Sequence, residues 1–156
     1  MKLCNRFILA FTVLSLHALH PANASDDSYG SVLVDEVTSI YDGDTFRVNI
    51  NSWPEVIGRR VPVRIAGIDT PEMRGKCKEE KELALLAKQF TVMSLRTAKV
   101  IELCDIHRGK YFRLIADVYV DGKSVAKELI SNKMAVNYDG GKKVNWCDRL
   151  KTIKKY

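Results

Sequence analysis

Histidine is scarce in this 156-residue sequence, which contains three of them. Two lie in the first 24 residues, so His107 is the only histidine in the rest of the chain. A Ser-His-Asp triad needs a histidine base, and a two-histidine zinc site needs a pair of them. The low count argues against both kinds of site, and His107, in a polar stretch, is interpreted as an exposed loop residue.

The sequence has no apolar run of the roughly 20 residues that span a bilayer. Its longest run, Phe7–Leu16, follows a cationic start and precedes the A-x-A pattern Ala22–Ala24. This arrangement is typical of a secretory signal peptide that is cleaved after its small-residue motif. We therefore expect a signal peptide at residues 1–24 and an exported domain at residues 25–156, in the periplasm or the medium.

Cysteine is also sparse, and none of the four cysteines has the C-x-x-C spacing typical of zinc sites. Export permits a disulfide among Cys77, Cys104 and Cys147, and three single pairings are possible. Cys104 ends an apolar run, which favours a buried free thiol. The polar surroundings of the other two favour Cys77–Cys147, a bridge that would contribute about 4 kcal/mol to stability.

Charge is present in mild excess. The net charge of +6 falls to +4 without residues 1–24, which hold two basic residues and no acidic one. A balance of this size is compatible with a polyanionic partner but does not identify one.

The hydrophobic pattern predicts one domain, because the sequence has no repeat, no low-complexity tract and no internal linker. Five strands are predicted: Val32–Ile40, Thr45–Ile50, Arg60–Ala66, Lys99–Cys104 and Tyr111–Val120. Three helices are predicted: Lys78–Arg96, Ser124–Asn132 and Trp146–Tyr156. This order suits a β-rich α+β fold, a five-stranded Greek-key barrel of the OB type with two to three flanking helices.

The longest predicted helix, Lys78–Arg96, has an apolar stripe that we expect to pack in the core. Its members recur at helical spacing: Leu83, Leu86, Ala87, Phe90 and Met93.

Two short stretches concentrate the residues that could carry chemistry. Arg64–Glu72 sets one arginine and two carboxylates around a break at Gly67, and Asp42–Thr45 adds two more carboxylates in a turn. Carboxylate oxygens favour hard cations such as calcium or magnesium. A divalent cation beside arginines suits a phosphodiester, because both neutralise charge on phosphate oxygens. The same residues would also be explained by a turn and a helix start.

These motifs, together with Lys110–Arg113, resemble those of the thermonuclease (staphylococcal nuclease-like) family. The resemblance covers about Val32 to Val136, and three motifs in the same order are more specific than any one of them. It implies an OB-fold enzyme that uses calcium and hydrolyses DNA and RNA to leave 3′-phosphate ends. We expect a monomer.

The resemblance also implies roles for single residues of the metal site. Asp44 and Asp69 would bind Ca²⁺ directly, and Thr70 would contribute its backbone carbonyl. Asp42 would lie in the second shell of ligands. Glu72 would act as the general base or orient the attacking water.

On the substrate side, the resemblance implies that Arg64 and Arg113 bind the phosphate. Lys110 and Tyr111 would lie beside the terminal phosphate, and Tyr138 would stack on a base. Read without the resemblance, Arg113 is a surface charge on a strand.

The chain departs from the staphylococcal pattern in its cysteines and in the short segment Met73–Cys77 after Glu72. The surroundings of Cys77 and Cys147 resemble those in exported relatives that carry cysteines, which supports their pairing. Two alternatives remain: a non-catalytic OB-fold module that binds nucleic acid, and an exported calcium-binding structural protein. Retention of all the polar site positions favours an enzyme.

Overall fold

The computed structural model describes residues 28–153. The predicted signal peptide lies outside the described residues. Within the described part of the chain, no helix is long and apolar enough to cross a membrane.

The structure consists of short strands and four helices. The strands are β1 (Val32–Leu33), β2 (Glu36–Ile40), β3 (Thr45–Asn49), β4 (Val61–Ile65), β5 (Ile68–Asp69), β6 (Ile101–Arg108), β7 (Leu114–Val120), β8 (Lys123–Ser124) and β9 (Val136–Asn137). The helices are α1 (Glu55–Gly58), α2 (Lys78–Thr97), α3 (Val125–Ser131) and α4 (Trp146–Ile153), and a 3-10 helix spans Lys110–Phe112.

The main sheet has the strand order β1-β6-β7-β4-β3-β2, with β8 paired to β7. Only β4 and β7 run parallel to each other, and the remaining pairs are antiparallel. Its two edge strands, β1 and β2, are consecutive in the chain and separated by two residues. The sheet therefore curls back on itself, which agrees with the predicted OB-type α+β fold.

The core fills the inside of this curled sheet. Phe46, Val48, Val63 and Leu103 are fully buried there, and they alternate along their strands with outward-facing residues. The alternation is what leaves Thr45 and the other outward positions free to build a site.

Each of the five predicted strand regions contains a strand, but three of them differ in extent. The Val32–Ile40 strand is split into β1 and β2. The fourth strand, β6, continues to Arg108, so the expectation that His107 lies in a loop is wrong. The fifth begins at Leu114, because the residues before it form the 3-10 helix.

Helix α2 matches its predicted bounds within one residue, but it is rotated relative to the predicted stripe. Leu86 and Met93 are 51% and 69% exposed, so their assignment to the core is wrong. Ala87 is buried and Phe90 packs against the core, as predicted, and the other buried residues of α2 are Glu80, Ala84, Thr91 and Leu95. Small and polar residues occupy this face because α2 approaches the backbone of the β2–β3 turn closely.

The disulfide favoured from the sequence is present. Cys77 and Cys147 are bonded, with their Cα atoms 6.0 Å apart. The bridge joins the residue before α2 to the first turn of α4. Cys104 is buried and disulfide-bonded, so the expected free thiol is wrong, and Cys4 lies outside the described residues.

Candidate active site

The β2–β3 turn places two carboxylates at one end of the sheet. The backbone N–H of Asp44 donates to Asp42 Oδ1 at 3.1 Å, which holds the turn in shape. The Asp44 carboxylate accepts hydrogen bonds from Thr45 Oγ1 at 2.9 Å and from the Thr70 N–H at 3.2 Å. Asp44 is 2% exposed, so this carboxylate has a fixed orientation.

Gly43 lets this turn rest directly on α2. A Cβ at Gly43 would lie 2.9 Å from Ala87 Cβ and 3.0 Å from Thr70 Cγ2, closer than side chains tolerate. The Thr91 hydroxyl donates to the Gly43 carbonyl at 2.7 Å. Helix α2 thus fixes the position of the turn that carries Asp42 and Asp44.

Asp69 lies at the end of β5, which pairs with β9. It is 1% exposed, and its Oδ2 accepts a hydrogen bond from Trp146 Nε1 at 3.3 Å. Its Oδ1 is buried and faces two cationic groups, with Lys143 Nζ at 3.1 Å and Arg64 Nη2 at 3.7 Å. That oxygen is a candidate ligand for a cation.

Arg64 joins the two carboxylates. It lies on β4 opposite Thr45, and its Nη1 is 2.7 Å from Asp44 Oδ1. Its Nη2 donates to the Ile68 carbonyl at 3.0 Å and lies 3.7 Å from Asp69 Oδ1. The Tyr138 ring centroid is 5.9 Å from the guanidinium carbon. A guanidinium has five N–H donors, so Arg64 retains donors for a further anion.

Glu72 is exposed, and its carboxylate faces a cation that the sequence did not indicate. Lys143 Nζ lies 2.5 Å from Glu72 Oε1 and bridges Glu72 to Asp69. Behind the carboxylate, the Glu72 N–H points to Glu80 Oε1 at 3.5 Å. Glu72 is thus the solvent-facing member of the cluster.

The close packing of charges shifts two pKa values. Burial, and then the negative charge of Asp44, raises the pKa of Asp42 to about 6. Burial lowers the pKa of Lys143, but hydrogen bonds to Glu72 and Asp69 outweigh it and raise the pKa above its ordinary value. The cluster therefore combines a carboxyl that resists ionisation with an ammonium that keeps its charge.

The residues predicted on the substrate side are more scattered. Tyr111 and Arg113 border a groove that also contacts Thr45, beside the Asp44 carboxylate. Lys110 is exposed, and within residues 28–153 it makes no ion pair with the site carboxylates. Arg113 was predicted to lie on a strand, but it directly precedes β7. Its Nε is buried and has no hydrogen-bond partner.

The arrangement fits a hard divalent cation. Asp44 and Asp69 are buried and share Arg64. Asp42, Thr70 and Glu72 lie in the adjoining turns, and within residues 28–153 no three of the four carboxylates bring oxygen atoms within 4.8 Å of one another. Oxygen donors of this kind suit calcium or magnesium.

Three site residues escaped sequence reasoning, namely Lys143, Trp146 and Glu80. Lys143 lies in a stretch rich in glycine and lysine, which indicates only a loop, and Trp146 begins a predicted helix. Glu80 is buried, and its Oε2 accepts the Lys76 N–H at 2.9 Å, so it fixes the segment that follows Glu72. Gly75 packs directly against this side chain, since a Cβ at Gly75 would lie 2.5 Å from Glu80 Cδ, and the sequence alone does not show this contact.

Comparison with known proteins agrees with this geometry. Residues 62–154 match the family described as staphylococcal nuclease homologue. A "Probable endonuclease" of Schizosaccharomyces pombe is 31% identical over 127 residues, which cover 67% of this chain and 55% of the relative. "Probable endonuclease LCL3" of Podospora anserina is 28% identical over 129 residues, which cover 69% of this chain and 46% of the relative. The chain spans about half the length of these curated relatives.

The family match extends over more than half of the chain and contains Arg64, Asp69 and Glu72. Asp44, which precedes the matched residues, is joined to them by its contacts with Arg64 and Thr70. On the match and the relatives together, this chain belongs to the staphylococcal nuclease homologue family.

Proposed function

We propose that this protein is an exported, calcium-dependent nuclease that hydrolyses phosphodiester bonds of DNA and RNA. One observation carries the proposal: two buried carboxylates, an arginine and an exposed carboxylate converge at one end of the sheet. Asp44 and Asp69 are linked through Arg64, and Glu72 lies beside them across Lys143. Family membership supports the same function.

Asp44, Asp69 and the Thr70 carbonyl would hold the metal, with Asp42 behind them. A bound Ca²⁺ would neutralise negative charge on a phosphate oxygen and polarise the phosphorus. Calcium is proposed over magnesium because it accepts a flexible set of carboxylate and carbonyl oxygens.

Glu72 is the group that would activate water. Its carboxylate is exposed to solvent, whereas Asp44 and Asp69 are buried and committed to other contacts. A carboxylate within hydrogen-bond reach of a water can accept its proton as the water attacks phosphorus. The Glu80 carboxylate behind it holds the Glu72 segment in place.

Arg64 and Arg113 would bind the phosphate. Arg64 is oriented by Asp44 and the Ile68 carbonyl, so its remaining N–H donors have a defined direction. Arg113 brings a guanidinium with an unpartnered Nε to the adjoining groove. Charge-assisted hydrogen bonds of this type stabilise the charge that develops on the phosphate oxygens in the transition state.

Export is proposed from residues 1–24, which have the charge, apolar run and small-residue motif of a signal peptide. A disulfide between Cys77 and Cys147 suits an oxidising compartment.

The test is cleavage of nucleic acid by matched variants. Glu72→Gln removes the proton acceptor and keeps the shape of the side chain. It should lower the cleavage rate of single-stranded DNA and RNA in calcium by at least about a hundredfold. Glu82→Gln is the control, because Glu82 is an exposed α2 residue that faces Lys78.

Equal activity of Glu72→Gln and the wild type would remove Glu72 from the reaction. Binding without any cleavage, by the wild type in calcium, would instead support the non-catalytic module. Thermal unfolding of each variant checks that a lost rate is not a lost fold.

A further inference from the structure

A groove of about 540 Å³ adjoins the candidate active site on the outer surface of the sheet. We call it the arginine groove and define it by Tyr41, Arg47, Arg60, Pro62, Tyr111 and Arg113. Neither the family roles nor the cluster of carboxylates accounts for Tyr41, Arg47 or Arg60.

Strand register places the groove directly beside the site. In β3, Phe46 and Val48 point into the core, so Thr45 and Arg47 point outward. Thr45 lies opposite Arg64, and Arg47 lies opposite Pro62 one step further along. Two residues of a strand span about 6.6 Å, so the groove begins next to the phosphate-binding arginine and leads away from it.

The groove is positively charged without internal compensation. It is lined by three arginines and by no carboxylate. Within the described residues none of the three guanidinium groups forms an ion pair, and Arg113 Nε is buried without a partner. The neighbouring Arg59, by contrast, is paired with Glu55. Unpaired arginines in a concave surface favour a polyanionic ligand.

Two aromatic side chains stand at the groove with their rings in solvent. Tyr41 is 60% exposed and Tyr111 is 90% exposed. Tyr111 and Phe112 have φ angles of 58° and 57°, a left-handed conformation that is costly for aromatic residues. Backbone strain of this kind is concentrated at functional sites. Here it holds Tyr111 outward, where a base could stack on it.

We propose that Tyr41, Arg47 and Arg60 form a further subsite, in which the arginine groove binds the nucleotides next to the scissile phosphate. The inference rests on the proposed nuclease function. Arg47 and Arg60 contact phosphates, and Tyr41 stacks on a base. A base that stacks on a protein ring is not stacked in a duplex, so an unpaired oligonucleotide is the probe for this subsite.

The experiment measures binding without cleavage. The Glu72→Gln background in calcium-free buffer is titrated against a fluorescent oligothymidylate. Tyr41→Ala should weaken single-strand binding about five- to a hundredfold, the range for loss of one stacked base. Arg47→Ala should weaken it and lower the salt dependence by about 0.7 in log–log slope, the value for one phosphate contact.

Arg59→Ala is the matched control, because Arg59 adjoins Arg60 in sequence but lies outside the groove. It should bind oligothymidylate as the parent does. Equal single-strand affinity of the parent, Tyr41→Ala and Arg47→Ala would overturn the proposal.

A second readout separates this inference from the nuclease proposal. Bis(p-nitrophenyl) phosphate is too small to extend from the site along the groove. Tyr41→Ala and Arg47→Ala in the wild-type background should hydrolyse it at the wild-type rate in calcium, and should cleave oligonucleotides with a raised KM. If only Glu72→Gln loses activity on both substrates, the nuclease function stands and the groove does not.

Discussion

At the scale of single residues, the site depends on a lysine that lies far from it in sequence. Lys143 Nζ bridges Asp69 and Glu72, which precede it by more than 70 residues. Its ammonium offsets the charge of the carboxylates that would otherwise face each other or a metal. Lys143 therefore competes with a cation for the same oxygen atoms.

Lys143→Met should make calcium binding about three- to tenfold tighter, because the metal no longer displaces an ammonium. This change in affinity corresponds to the free energy of a half-exposed ion pair, about 1 kcal/mol. Since the carboxylates raise the pKa of Lys143, it stays charged at neutral pH and the difference should persist there. Isothermal titration calorimetry with calcium gives the affinities directly.

Lys142→Met is the control for this measurement, because Lys142 is the exposed neighbour and forms no ion pair within residues 28–153. Equal calcium affinity of the two variants would contradict the competition.

Asp42 gives the site a dependence on pH. Burial and Asp44 raise its pKa from 3.8 to about 6, so the folded protein retains a proton that the unfolded chain releases between these values. In calcium-free buffer, the titration of Asp42 should therefore lower the free energy of unfolding by up to about 3 kcal/mol as the pH rises from about 4 to about 6. Asp42→Asn should remove this loss and be more stable than the wild type at pH 7.

Urea unfolding at both ends of this pH range measures the effect. Asp139→Asn, which changes an exposed loop carboxylate, should keep the wild-type dependence. A pH slope in Asp42→Asn identical to that of the wild type would show that Asp42 does not titrate in this way.

At the scale of elements, strand positions were predictable because their apolar residues alternate, as in Phe46 and Val48. The orientation of α2 was not predictable, because the apolar residues Leu86 and Met93 indicate one buried face and the structure buries another. That face is buried through Thr91, whose hydroxyl reaches the Gly43 carbonyl across 48 positions of sequence. A polar residue buried by one distant hydrogen bond has no signature in the local periodicity.

The disulfide ties two elements that carry site residues. Cys77 follows Glu72 at the start of α2, and Cys147 follows Lys143 at the start of α4. The Cys77→Ser, Cys147→Ser double variant should lose about 4 kcal/mol of stability, because the bridge closes a loop with a sequence separation of 70. Guanidinium chloride unfolding under non-reducing conditions measures the loss.

The same double variant should also bind calcium more weakly, since the bridge holds the start of α4, where Trp146 orients the Asp69 carboxylate. Ordinary substitutions change the free energy of unfolding by about 1 kcal/mol. If the double variant unfolds within about 1 kcal/mol of the wild type, packing alone holds the two segments together.

At the scale of the whole molecule, the site exists only after the sheet has curled. Asp44 comes from the β2–β3 turn, Arg64 from β4 and Asp69 from β5, and Lys143 and Trp146 come from the far end of the chain. The motifs before Glu72 could be recognised because they are short and ordered. The contacts of Lys143 and Trp146 with Asp69 could not be predicted, because they depend on where the segment between β9 and α4 packs against the sheet.

The most direct test of the nuclease assignment is the cleavage of single-stranded DNA by the purified wild-type protein, in calcium and in excess chelator, followed as the release of acid-soluble nucleotide. The proposed site predicts cleavage in calcium and none in chelator, with activity restored when calcium is added back. Bound but intact DNA under both conditions would contradict it.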